Sequence, residues 1–439
     1  MNEILALSGT LQAGLIREGA ISSEELITAH LAQIEEVNPR LNAVVETLQP
    51  APGNHHGPLA GVPFSVKDSI EVEGTVCSAG TLGYRSNPRS TSDATLVARL
   101  RNAGAIPIAR TNLPDLLFAF ETDNLIFGRT NNPYDLSRTC GGSSGGEAAL
   151  IAACGSPFGL GSDAAGSVRL PAHYCGIASI KPTSGCLPRT GHVPPASGWI
   201  EMLWQIGPMS RKVEDLITLM PILMGQGRRE FSPVVSPRIA FFTSNGIVAP
   251  DADTQRTVHS AAGALESAGF AIEEARPPAI KQSYDLEMKF LGADGGDGVR
   301  AFLTQIGSHR THPLLEGWLE KLERYRTNLS GFTQYWAELD AFRAEMARFM
   351  ENYDALLSPV SPGPAVPHGR SIAPDVFPGF SYTMTHNLTG WPAAVVRCGT
   401  SQNGLPIGVQ IAAAPWREDV ALGLALRLEE LLGGWVRSS

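Results

Sequence analysis

The sequence is short of charge, and of positive charge in particular. Asp, Glu, Lys and Arg make up 18% of it, and 34 Lys plus Arg against 43 Asp plus Glu leave a formal net charge of −9. A stand-alone nucleic-acid binder needs a basic face, so nucleic acid is not an expected partner. Cysteine is also scarce. The six cysteines (77, 140, 154, 175, 186 and 398) are scattered with no C-x-x-C pair, a pattern of reduced thiols and not of a disulfide framework or zinc site. No run approaches the ~18 uninterrupted apolar residues of a spanning helix, so no integral membrane segment is expected. The N-terminus carries Glu3 and Arg17 within a helical apolar pattern and lacks the basic-then-apolar order of a secretory signal. A cytoplasmic protein is the expectation. The 10 histidines stand at no helical metal-ligand spacing, which points away from a metal, a cofactor-dependent hydrolase or a His-based triad.

What is present is apolar mass: 439 residues, 43% of them hydrophobic, enough for a deep core. Residues 1–48 read as an N-terminal helical arm, with Ser22 and Glu25 forming a capping box and Asn38-Pro39 as the stop. From Gly61 onward short apolar runs alternate with helical stretches. Strands are expected at Val62–Val66, Ala105–Ala109, Gly176–Ile180, Arg238–Thr243, Ala271–Glu274, Ala355–Leu357, Ala393–Arg397 and Ile407–Ala412. The alternation predicts a single large α/β domain over 1–439, built on a central mixed, mostly parallel twisted sheet with helices on both faces. Residues 283–350, with Trp318, Tyr325, Tyr335 and Trp336, read as a helical insertion of the kind that can form a lid.

Two short motifs carry little. Gly141-Gly142-Ser143-Ser144-Gly145 fits G-x-S-x-G, but a nucleophile elbow needs a strand before the serine, and Thr130–Thr139 is rich in turn residues. Gly159 to Ala164 fits G-x-G-x-x-A without a compact βαβ unit around it.

The chemistry gathers elsewhere. Two glycine and serine loops, 141–146 and 161–167, bracket the apolar stretch 148–160. Small residues beside a serine let the backbone approach a substrate carbonyl and leave N–H groups free for an oxyanion. Upstream, Lys67 follows an apolar strand in Gly61–Asp68. Burial there would lower its pKa toward that of a general base.

With these features, the chain resembles the amidase signature family along nearly its whole length. The matching blocks are GVPFSVKD (61–68), ARTNLPDL (109–116), ETDNLIFGRTNNPYD (121–135), GGSSGGEAAL (141–150), GLGSDAAGSVRLPAHYCGIASIKPT (159–183), QIGPM (205–209) and NLTGWPAAVV (387–396). The resemblance implies a triad of Lys67, Ser143 (held by a cis peptide) and the nucleophile Ser167. Proton transfer would run from Ser167 to Ser143 to Lys67, with the N–H groups of Ala164, Ala165, Gly166 and Ser167 as the oxyanion hole. Asp163 and Arg169 would be structural supports. Where most members have two glycines before the nucleophile, this chain has Ala165-Gly166, so a reshaped hole is expected.

Glu147-Ala148 is similar to the fatty-acid-amide-hydrolase-like branch, and urethanase-like members share the pattern. The acyl pocket implied by the resemblance is walled by Leu117, Phe118, Phe120, Val193 and Trp204, with Cys140, Gly141 and Gly142 beside it. No cationic cluster faces it. Neutral aryl or hydrophobic amides, carbamates and esters are the expected small-molecule substrates, with the chain a monomer or homodimer. The alternative is the glutamine-hydrolysing subunit of a tRNA-dependent amidotransferase, which has the same triad and needs partner subunits.

Overall fold

Runs of small and β-branched residues buried on both faces form the interior strands, and they assemble into one 11-stranded sheet. The computed structural model describes residues 2–49, 56–195, 198–225 and 236–438. The strands are β1 (Val44–Thr47), β2 (Pro63–Lys67), β3 (Ile106–Thr111), β4 (Phe158–Asp163), β5 (Ala178–Lys181), β6 (Gln205–Ser210), β7 (Arg238–Phe241), β8 (Ala271–Glu274), β9 (Ala355–Pro359), β10 (Ala393–Thr400) and β11 (Pro406–Ala413). Their spatial order is β1-β3-β2-β4-β6-β5-β10-β11-β9-β7-β8.

The sheet is mixed, but the expectation that it is mostly parallel does not hold. Only β2/β3, β2/β4, β7/β8 and β7/β9 run parallel. The remaining neighbours are antiparallel. The reason lies in the centre. The segment Gln205–Met209, met in the sequence only as a motif, is strand β6 and slots antiparallel between β4 and β5. β10 and β11 form a hairpin across the turn at Ser401–Leu405, which obliges them to be antiparallel.

Side chains alternate across the sheet. Ala394 and Val396 enter one core and Val395 the other. The first core is covered by the helices Thr95–Asn102, Val213–Met224, Ala252–Ser267 and Glu418–Leu432, and the second by Ser23–Leu41, Gly145–Ala152 and Arg169–Tyr174.

The N-terminal arm is helical only in part. The Ser22/Glu25 capping box forms, but the helix runs through Pro39 to Leu41 and stops at Asn42 in the left-handed region. Asn38 does not end it. Its side chain instead accepts the N–H groups of Ala43 and Val44, turning the chain into β1, so residues 44–47 are strand. Residues 283–350 hold the helices Ser283–Leu291, Asp297–Gln305, Pro313–Glu323 and Leu329–Met350. Among the described residues no helix is long and apolar enough to cross a membrane.

The parallel block β3-β2-β4 positions the site. Ser65 and Val66 of β2 lie in register with Gly159 and Leu160 of β4, so Lys67 and Ser162 emerge together at the carboxyl ends, where ligands bind in open α/β sheets. Phe158 anchors this block, buried and stacked on Phe64 with ring centroids 6.1 Å apart. Phe158→Ala is expected to cost about 3–5 kcal/mol, seen as a lower urea midpoint at unchanged slope.

Candidate active site

Lys67 ends β2 with a side chain that is 0% exposed. Its Nζ lies 2.7 Å from Oγ of Ser143, 3.0 Å from Oγ of Ser144 and 3.1 Å from Oγ of Ser162. Among the described residues no carboxylate pairs with it directly. Burial pushes its pKa well below the ordinary lysine range, opposed by the more distant charges of Asp163 and Glu147. Glu147 lies on the helix Gly145–Ala152, where it accepts hydrogen bonds from the hydroxyls of Ser65 and Thr111. Burial raises its carboxyl to about 7 despite those bonds.

Behind Ser162 lies His192. Its Nε2 is 3.0 Å from the Ser162 hydroxyl, and its Nδ1 is 3.1 Å from the carbonyl of Pro194. Burial lowers its pKa to about 3, so the ring is neutral.

The loop Gly141–Gly146 follows turns and an isolated bridge, with no strand before Ser143. The Gly142–Ser143 peptide is cis. A Cβ at Gly142 would come within 2.6 Å of the carbonyls of Ala119 and Glu121, so only glycine lets this loop lie against the cavity wall. The Ser144 N–H donates to the Ser167 carbonyl at 3.1 Å, tying the two serine loops together. Gly159–Ala164, the other short motif, falls mostly within β4 and forms no dinucleotide loop.

Asp163 and Arg169 organise the second loop. Asp163 accepts the N–H of Gly166 at 2.8 Å and of Val168 at 3.1 Å, and it forms a two-pronged pair with the Arg169 guanidinium at 2.9 and 3.0 Å. Burial alone would raise this carboxyl. The charge and hydrogen bonds of Arg169, with Asn387 and Lys181, instead hold it well below the usual carboxylate range. Arg169 also donates to the Thr383 carbonyl at 2.7 Å.

Gly166 has φ +125°, and a Cβ there would strike Oγ1 of Thr383. Ala165 is not among the left-handed residues, so its methyl imposes no left-handed strain on the loop. Of the four N–H groups expected at an oxyanion hole, that of Gly166 is spent on Asp163. Those of Ala164, Ala165 and Ser167 carry no protein partner among the described residues.

Ser143, Ser162 and Ser167 open onto one cavity. Leu117, Phe118, Phe120, Ala164, Ala165 and Trp204 line it, and so do Leu116, Ala119, Ile200, Leu203, Leu291 and Trp318. Among the described residues no charged side chain is in the wall. Phe118 and Phe120 meet Trp318 with centroids at 6.1 and 5.4 Å.

Not every candidate reaches this cavity. The Cys140 thiol turns into the core towards the carbonyl of Thr130, where burial pushes its pKa up to about 12. Gly141 and Gly142 support the loop from behind. Val193 packs at the edge of the aromatic cluster, its N–H donating to the carbonyl of Ser69. Of the loop 186–197, residues 196 and 197 lie outside the described residues.

Sequence reasoning missed Ser144, Ser162 and His192 around the amine, and Leu291, Trp318, Ile200 and Leu203 in the wall. The two serines stood inside the quoted motifs. His192 gave no local signal.

Residues 25–422 match the Amidase family model. The chain is 30% identical to human fatty-acid amide hydrolase 2 over 99% of its own length and 90% of that protein's. It is 31% identical to a glutamyl-tRNA(Gln) amidotransferase subunit of Halothermothrix orenii, covering 95% of each chain. It superimposes on the solved structure of 6-aminohexanoate cyclic dimer hydrolase with a TM-score of 0.87 at 29% identity, covering 98% of this chain and 97% of that one.

Arg169→Met strands the buried Asp163 carboxylate without its cation. Stability is expected to fall by about 3–5 kcal/mol in chemical denaturation, with partial recovery in Arg169→Lys, which keeps the charge and loses the fork.

Proposed function

The chain belongs to the amidase signature family, and on that footing we propose that it cleaves the C–N bond of neutral, hydrophobic amides through an acyl-enzyme on Ser167. The observation that carries this reading is a buried lysine amine 2.7 Å from the Ser143 hydroxyl, beside a cavity with no charged residue among those described in its wall. A neutral amine is a base and an ammonium is not.

Lys67 takes the proton of Ser143 as Ser143 takes that of Ser167, and the Ser167 oxygen attacks the carbonyl carbon. The N–H groups of Ala164, Ala165 and Ser167 hold the oxyanion, each worth roughly 3 kcal/mol. Collapse returns a proton through Ser143 to the leaving nitrogen, which departs as the amine. Water then attacks the ester, the same relay takes its proton, and the acid and free Ser167 result.

Aryl and long acyl groups suit the Phe118, Phe120, Trp204 and Trp318 wall. The same chemistry extends to esters and to carbamates, whose alcohol would depart with the relayed proton to leave a carbamoyl-enzyme that water converts to a carbamic acid and so to amine and carbon dioxide. The helical segment 283–350 serves as a cover, since Leu291 and Trp318 close one side of the cavity.

The similarity to an amidotransferase component favours a second reading, a glutaminase that works with partner subunits. Glutamine would present an ammonium and a carboxylate to a wall that has no counter-charge among the described residues.

A panel of a hydrophobic acyl anilide, an aryl carbamate, a short ester and glutamine separates these readings. Turnover of the anilide or carbamate is expected, falling on the order of 10⁴-fold or more in Ser167→Ala. Turnover of glutamine alone would move the assignment to the amidotransferase component.

The pH profile tests the base. Protonation of Lys67 as pH falls through its lowered pKa removes the acceptor, so kcat/KM should fall on the acid side and level off above it. Glu147 raises that pKa by its negative charge. That charge is present above about pH 7, where the Glu147 carboxyl is ionised, so Glu147→Gln is expected to move the part of the acid limb lying there to lower pH and to leave any part below it in place, measured as kcat/KM against pH.

A further inference from the structure

A neutral amine has two N–H donors and one lone pair, and Lys67 faces three hydroxyls. Which hydroxyl meets the lone pair decides whether the amine can act on Ser143. The Ser144 hydroxyl lies 3.2 Å from the carbonyl of Ser162, a group that only accepts, so it donates there and must accept from Nζ. For Ser162 the deciding partner is His192. The carbonyl of Pro194 beside Nδ1 requires the proton on Nδ1, which leaves Nε2 as an acceptor 3.0 Å from the Ser162 hydroxyl. Ser162 then donates to His192 and accepts from Lys67. The Ser69 hydroxyl, 3.3 Å from the same nitrogen, is the longer contact. The Ser162 carbonyl, at 3.5 Å, is the longest contact of Nζ; the two shorter acceptors, Oγ of Ser144 and Oγ of Ser162, use both N–H groups of the amine, and its lone pair is left for the shortest contact, Ser143.

We propose that His192 is a positioning residue for amide hydrolysis: its Nε2 holds the Ser162 proton away from Lys67, so that the lysine lone pair is directed at Ser143. The proposal rests on the Lys67, Ser143 and Ser167 reading above. Without the imidazole acceptor, the Ser162 proton can turn to Nζ and compete with Ser143 for the lone pair. His192 does not itself line the cavity. It touches the wall through Ser162, by the hydrogen bond above, and through Trp204, edge to face at 4.9 Å between centroids. A purely structural role would therefore surface in substrate binding or stability, and a positioning role in kcat.

The test uses the hydrophobic acyl anilide and the full chain. His192→Phe keeps a ring against Trp204 and removes the acceptor. It is expected to lower kcat roughly tenfold or more with KM within about twofold. His192→Gln, which can place an amide oxygen near the Nε2 position, is expected to recover most of kcat. In a Ser162→Ala background, where no hydroxyl needs orienting, His192→Phe should cost little further.

Wild-type kcat in His192→Phe, an equal loss in His192→Gln, an effect confined to KM, or an undiminished loss in the Ser162→Ala background would each overturn the role of His192. Lys67→Ala and Ser167→Ala in the same assay separate the two levels. If activity survives in those variants, the triad reading fails and this proposal with it. If they are inactive, the His192 results bear on His192 alone.

Discussion

Taking a lysine amine out of water without giving it a carboxylate in contact is the constraint around which the site is arranged. An ammonium in that position would pay the desolvation of a full charge. Burial biases the amine towards its neutral form, and a neutral amine still needs hydrogen-bond partners. Three hydroxyls supply them, from two stretches well removed from Lys67 in the chain. Parallel pairing of β2 with β4 brings Ser162 alongside Lys67. The glycine loop ahead of the helix Gly145–Ala152 lowers Ser143 and Ser144 onto Nζ from above. Sheet register, loop shape and glycine placement all converge on one nitrogen atom.

A few residues away the same protein treats a second buried cation in the opposite way. Arg169 is paired on both prongs with Asp163, and Asn387 and the Thr383 carbonyl take up further valence. Guanidinium keeps its charge under almost any burial, and here that permanence holds a carboxylate ionised beneath the loop that carries Ser167. One basic group is left without a counter-charge in contact, the other is saturated with partners. Asp163 and Arg169 stand at the two ends of the short path from β4 to the helix Arg169–Tyr174.

Much of this was legible in the chain. Lys67 after an apolar run and the two glycine and serine loops marked the chemistry. The strands β7, β9, β10 and β11 stood out because each is a compact apolar run between turn residues, and β8 stood out despite two exposed glutamates. β4 and β6 did not, since Gly159, Gly161, Gly207 and Pro208 are poor strand formers whose strands persist because their neighbours bury them. β1 hid behind the apolar periodicity of the preceding helix. His192 was illegible for another reason: a lone histidine in a loop acquires meaning only from the hydroxyl it meets, and Ser162 is brought to it by tertiary folding. Trp318 and Leu291 share that difficulty, because helical periodicity reveals an apolar face and not the surface that face will cover.

The cavity draws its floor and its wall from different stretches of polypeptide. The hydroxyls and the amine come from the sheet and its immediate loops, while Leu291 and Trp318 come from a helical stretch that contributes no strand. Mutational drift in that stretch can therefore widen, deepen or re-polarise the recess without touching a single proton-carrying atom. Under selection, appetite for new molecules and the capacity to break them are separately heritable, and one catalytic chassis can be refitted for a changing diet by edits confined to a length of chain that the chemistry does not use.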